Sequence, residues 1–180
     1  MDKERQKTVW TIGHSTHPID EFISLLKSFQ ISVVADIRNY PGSKRFPHFN
    51  KETLQISLRE VNIKYIHFKE LGGRRNPVPG SVNTRWRNFA FRGYADYMGT
   101  AAFKKAMIEL EDIASKENTA FMCSEAVWWS CHRSLVSDYL KVRDWKVMHI
   151  MSNNKATEHP YTSAARIING ELRYDEPELF

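Results

Sequence analysis

Ile31-Ser32-Val33-Val34-Ala35-Asp36-Ile37-Arg38 is apolar at most positions rather than at alternate ones, and Asn39-Tyr40-Pro41-Gly42 stops it. That is the pattern of a strand covered on both faces, which belongs in a parallel sheet. Upstream, Val9-Trp10-Thr11-Ile12-Gly13 is a β-prone run closed by glycine. Behind Pro18, the residues Ile19, Phe22, Ile23, Leu26 and Phe29 recur at helical spacing. Downstream, Leu54, Leu58 and Val61 share a helical side after Asn50, a residue suited to an N-cap, and Lys64 to Phe68 reads as a third strand ending at Leu71-Gly72-Gly73. The order is βαβαβ.

The alternation continues. Thr100 to Lys116 carries Phe103, Ala106, Met107, Leu110 and Ile113 on one face, Thr119 to Cys123 is a buried strand, and Lys146 to Met151 is another. Between the last two, Ser130 is placed to cap a helix bearing Leu135, Val136, Tyr139 and Leu140. The expected fold is one three-layer α/β domain over residues 1–180, with a mainly parallel central sheet of about five strands and helices on both faces. Residues 74–98 show little periodicity and read as a long basic-aromatic loop, 1–7 as a flexible N-terminus and 171–180 as a loose tail.

Of the 180 residues, 42% are hydrophobic and 12% aromatic, which excludes general disorder, and no apolar run is long enough to span a membrane. A charged N-terminal stretch and only two cysteines point to the cytoplasm and exclude a disulfide framework. The net charge of +5 is unevenly spread. Arg38, Lys44, Arg45 and Lys51 lie in 38–51, and Arg74, Arg75, Arg85, Arg87 and Arg92 in 71–95, neither segment holding an acid. Basic loops on an otherwise acidic body point to an anionic partner.

In an open parallel sheet, ligands bind beyond the carboxyl ends of the strands. His14, Ser15, Thr16 and His17 follow the first strand, Asp36 and Arg38 end the second, and Cys123, Ser124 and Glu125 end the fourth, with Cys131, His132 and Arg133 behind them. Acid, base, nucleophile and anion-clamp residue types therefore converge on one edge. Arg133 at a helix start adds a bidentate cation to free backbone N–H groups, and the same field favours a Cys131 thiolate and disfavours protonation of His132. Two positions apart on a strand end, Cys123 and Glu125 are expected on one face. Glu125 then serves as general base or nucleophile, with Asp36 or His14 as its partner.

Taken together, Thr11-Ile12-Gly13-His14-Ser15, Asp36-Ile37-Arg38 with Pro41, Leu71-Gly72-Gly73, Phe91-Arg92-Gly93-Tyr94, Cys123-x-Glu125, Cys131-His132-Arg133 and His159-Pro160-Tyr161-Thr162 resemble the domain-of-unknown-function family 488, from about residue 9 to 166. The resemblance implies an α/β fold and this residue set, and no reaction. The chain departs from the family pattern at Val127-Trp128-Trp129, where a proline commonly precedes the second cysteine.

Other motifs fit less well. Cys123 and Arg133 are too far apart for a cysteine-phosphatase loop, a zinc-deaminase Pro-Cys-x-x-Cys is missing, and no Walker or Rossmann glycine pattern occurs. A structural zinc site would need Cys123, Cys131, His132 and His14 together, so no metal is assigned. The cofactor is left unknown. The expected function is an enzyme acting on a phosphate-bearing nucleotide or nucleic acid, of hydrolase or transferase type. Its catalytic residues are His14, Asp36, Glu125 and Cys123. Anion and substrate contacts come from Ser15, Arg38, Arg92, Tyr94, Cys131, His132 and Arg133, and stacking from Trp86, Phe89, Phe91, Tyr94 and Trp128. The alternative is a non-catalytic metal- or redox-responsive module using Cys123, Cys131 and His132.

Overall fold

The computed structural model describes residues 7–177. Six strands form one sheet in the order β3-β2-β4-β1-β5-β6. These are β1 (Thr8–Gly13), β2 (Val33–Asp36), β3 (Lys64–His67), β4 (Thr119–Cys123), β5 (Lys146–Ser152) and β6 (Lys155–Glu158). All pairs are parallel except β5 with β6. One strand more than expected results from a hairpin at Asn153-Asn154, where Asn154 takes φ 57°, a left-handed conformation that asparagine tolerates well.

Helices α1 (Ile19–Ser28) and α2 (Lys51–Glu60) cover one face, while α3 (Phe89–Met98), α4 (Ala101–Lys116) and α5 (Arg133–Val142) cover the other. Strand alternation decides which residue meets which layer. Ala120 and Met122 of β4 pack with Phe22, Leu26, Leu54 and Leu58, whereas Phe121 and Cys123 pack with Tyr94, Phe103, Met107 and Leu135. Every residue of β2 is buried, as its unbroken apolar run requires. Asn50 occupies the α2 N-cap position, but its side chain accepts from the Ser43 amide in the preceding loop instead of capping the helix.

Three local expectations are corrected. Within the stretch read as loop, Phe89–Met98 is α3, started by Asn88 accepting from the Phe91 amide at 3.1 Å. Its Gly93 weakens helix propensity yet is required there, because a Cβ would come within 2.2 Å of the Arg75 carbonyl oxygen. Ser130 does not cap α5; it closes a short 3₁₀ turn, Trp128–Ser130, and α5 begins behind His132. The C-terminal stretch is not loose over its first residues: β8 (Glu171–Arg173) pairs with β7 (Arg166–Ile168), and Tyr174 is buried. Residues 1–6 of the expected flexible N-terminus and 178–180 of the expected tail lie outside the described residues, and Lys7 accepts a backbone hydrogen bond from Lys146.

Candidate functional site

Beyond the carboxyl ends of β1, β2 and β4 lies a cavity of about 770 Å³. Of the residues singled out above, His14, Ser15, Arg38, Tyr94, Cys123, Glu125, Cys131 and His132 line it, joined by Arg45, Arg74, Tyr40, Phe46 and Phe91. Asp36, Arg92 and Arg133 do not.

Asp36 sits behind Arg38. Its carboxylate accepts from Arg38 Nη2 at 2.6 Å, from Arg38 Nε and from the Tyr65 hydroxyl, and it is fully buried. Burial alone would lower the Arg38 pKa, but the Asp36 bonds hold it above the ordinary value. Tyr65 is raised by burial and by the same carboxylate. Arg38 therefore spends most of its donors inside the protein and keeps Nη1 near His14 Nε2, at 3.3 Å. His14 is pulled down to about 4 by burial and then by the Arg38 guanidinium. Its Nδ1 faces the Ser15 carbonyl oxygen at 2.9 Å, and its ring stacks on Phe49 at 4.2 Å. Both nitrogens are occupied, so His14 is a fixed wall of the cavity.

Arg133 is 1% exposed and points under the floor. It donates Nη2 to the Glu125 carbonyl oxygen at 2.7 Å, Nε to Cys131 Sγ at 3.3 Å and Nη1 to Thr11 Oγ1 at 3.4 Å. Arg92 donates to the Trp86 carbonyl oxygen at 3.0 Å and lies beside Pro77 and Phe89. Both expected clamps thus bind backbone. Arg45 and Arg74 replace them: each is exposed, lines the cavity, and has no ion pair among the described residues. The sequence signal for them was the acid-free basic segment rather than strand-end position.

Because β4 ends at Cys123, strand alternation does not carry through to Glu125. Cys123 is buried at the floor and Glu125 is exposed at the rim, so the two do not share a face as expected. Glu125 is the one carboxylate on the lining, and no ion pair among the described residues reaches it. At the floor, Cys123 Sγ lies 3.9 Å from His132 Nδ1, whose Nε2 meets the Ile37 carbonyl oxygen at 2.8 Å. The Cys123 thiol is held well below its ordinary pKa by the bond from Cys131 and by His132 and Arg133, while Cys131 is pushed up, first by burial and then by Cys123. Tyr94 closes this corner, its hydroxyl donating to the Leu71 carbonyl oxygen at 2.7 Å and its ring 5.1 Å from His132.

Of the five aromatics expected to stack on a ligand, only Phe91 and Tyr94 line the cavity. Trp86 packs on Phe91 and Tyr174, and Phe89 lies in the neighbouring Pro77 pocket. Trp128 stacks on His149 at 4.6 Å with planes 3° apart.

The family model for the domain of unknown function DUF488 matches residues 18–140. The chain belongs to that family. No curated protein and no solved structure matches it. The DUF488 match runs from α1 into α5, and so includes Arg38, Tyr94, Cys123, Glu125, Cys131 and His132 but not His14.

Behind the DUF488 cavity floor runs a buried polar chain that sequence reading did not assemble. Thr11 Oγ1 meets His149 Nδ1 at 2.7 Å, His149 Nε2 meets His159 Nδ1 at 2.9 Å, and His159 Nε2 meets Asp138 Oδ1 at 2.8 Å. A carboxylate only accepts, so the hydrogen of each ring points toward Asp138 and the Thr11 hydroxyl donates to His149. His149 is lowered to about 2 by burial, then by His159 and Arg133. With the folded pKa below the unfolded one, the unfolded chain alone takes up the proton as pH falls below 6.5. Stability is therefore lost on acidification, by about 3 kcal/mol from this group at a pH near 4.5. Urea unfolding at neutral pH and near 4.5 measures this, and His149→Gln is expected to flatten the slope; an unchanged slope in the variant refutes the assignment.

Proposed function

We infer that the chain is an enzyme acting on a phosphate-bearing nucleotide, which it binds in the strand-end cavity, with Glu125 as the group that moves a proton. One observation carries this: a cavity of about 770 Å³ holds Glu125 as its lone carboxylate among Arg38, Arg45 and Arg74. The volume suits a nucleotide-sized ligand. Arg45 and Arg74 have donors to spare for phosphate oxygens, and Phe91, Tyr40 and Phe46 offer flat apolar surface to a base. Glu125 is within the same space and unpaired, as a general base must be before substrate arrives. His14 and Arg38 act on this reading as a rigid wall, with Asp36 behind Arg38 holding it in place.

Calorimetric titration with nucleoside mono- and diphosphates, alongside anisotropy of a short single-stranded oligonucleotide, tests the reading. Binding is expected to weaken steeply with salt, because phosphate contacts release counterions. The double substitution Arg45→Gln/Arg74→Gln is expected to weaken it at least about tenfold, or about 1.4 kcal/mol. Glu125→Gln is expected to leave binding within about threefold while abolishing turnover of any nucleotide that wild type converts. No binding even at low salt overturns the reading.

A further inference from the structure

We propose that Cys123, Cys131 and His132 form a three-ligand site for zinc or another thiophilic divalent cation, open toward the cavity at its fourth position. The ligand atoms, two Sγ and a ring nitrogen, all lie within 4.8 Å of one another, with Cys123 Sγ and His132 Nδ1 3.9 Å apart. Zinc bonds of about 2.3 Å to sulfur and 2.0–2.1 Å to nitrogen place tetrahedral S and N ligands about 3.6 Å apart, and S and S about 3.8 Å. The Cys123–His132 separation of 3.9 Å is close to this, and with every pair within 4.8 Å the other ligand atoms need to close by no more than about 1 Å.

Three further features bear on a metal rather than on packing. His132 Nε2 is fixed by the Ile37 carbonyl oxygen, which can only accept, so in the neutral ring the Nδ1 lone pair is aimed at the sulfurs. A backbone carbonyl on the outer nitrogen is the usual support for a ligating histidine. Gly73 keeps the space beside that nitrogen clear: a Cβ there would lie 2.7 Å from His132 Nδ1. Third, Arg133 is fully buried with no carboxylate partner among the described residues, and one of its donors goes to Cys131 Sγ. That N–H···S bond stabilises the cysteinate form in which Cys131 would hold a metal.

All three ligand residues line the cavity, so the position left free by the protein faces the space where a substrate would sit. That is the arrangement of catalytic rather than closed structural zinc sites. His14, the other donor nearby, is not the fourth ligand, since Ser15 and Arg38 occupy its nitrogens. Both cysteines bind as thiolates, so any thiol proton they still carry is released as the metal enters. The site stands independently of the anion reading above.

The test is cobalt(II) titration of the full chain under reducing conditions. The expected product is a one-to-one complex with a sulfur-to-cobalt charge-transfer band and the intense visible bands of tetrahedral coordination, displaced by zinc. Cys123→Ser and Cys131→Ser are each expected to weaken binding by more than about a hundredfold, beyond the roughly 10–100-fold that losing a supporting residue brings. Glu125→Gln is expected to bind as wild type. Because the cysteine variants can misfold, wild type is also alkylated with iodoacetamide in the presence and absence of zinc and read by peptide mass. Protection of both cysteines by zinc supports the site. Equal alkylation with and without zinc, or octahedral cobalt spectra alone, overturns it. Metal binding without any nucleotide affinity overturns the anion reading and leaves this one standing; the converse overturns only the metal site.

Discussion

Gly13→Ala is expected to cost more than about 4 kcal/mol, enough to leave little folded protein at physiological temperature. At the end of β1, Gly13 is in register with Cys123 of β4, and the chain folds back over it. A Cβ at this position would lie 1.7 Å from the Glu125 carbonyl oxygen, 2.7 Å from its carbon and 2.9 Å from Arg133 Nη2. Two of those atoms are backbone, and the oxygen is the acceptor of the Arg133 bond. Relief would require lifting the β4–α5 loop away from β1, which removes a buried guanidinium from its acceptor and opens the cavity floor. Thermal melts and soluble yield measure the outcome. A variant that melts within a few degrees of wild type would show that the loop does not seat on β1 as described. Gly42 is the natural control, because nothing lies within 4 Å of its Cβ position, and Gly42→Ala is expected to be nearly neutral.

Asp138→Ala is expected to destabilise by about 3–5 kcal/mol, the range for breaking a buried charged network from one side. Asp138 is fully buried on α5. It accepts from His159 Nε2 at 2.8 Å, from the Thr162 amide at 2.9 Å, from the Thr162 hydroxyl and from the Tyr174 hydroxyl at 2.8 Å. Truncation strands all four donors, of which those of His159 and Tyr174 are buried. Asp138→Asn keeps an acceptor for His159 and is expected to lose less, about 1–2 kcal/mol. Tyr174→Phe removes one bond and is expected to cost about 1 kcal/mol. Urea unfolding of the three variants orders them. An alanine variant no worse than the asparagine one would show that the carboxylate is not the hub that joins α5 to the C-terminal segment.

Layer order, the parallel sheet and the faces of α1 and α4 were legible because hydrophobic periodicity is a local property: each residue's neighbours along the chain decide which face is apolar. The position of Cys123, Cys131 and His132 at one sheet edge followed from the same alternation with the general rule for strand ends. α3 was not legible. Gly93 and a run of aromatics lower its propensity, and it forms because Gly93 packs on the Arg75 backbone.

The polar assignments separate in the same way. Arg38, Arg92 and Arg133 are indistinguishable as residue types, yet a carboxylate two positions away claims the first and backbone carbonyls claim the other two. On the cavity lining, the arginines without an ion pair among the described residues turn out to be Arg45 and Arg74, on loops whose course depends on what the sheet brings beside them. Thr11, Asp138, His149, His159 and Tyr174 come from five separated stretches, so their chain of hydrogen bonds has no signature in any one of them. Burial of apolar faces is encoded residue by residue, and this chain's layers could be read from it. A hydrogen bond needs a particular partner at about 3 Å, and only closure of the tertiary structure selects that partner.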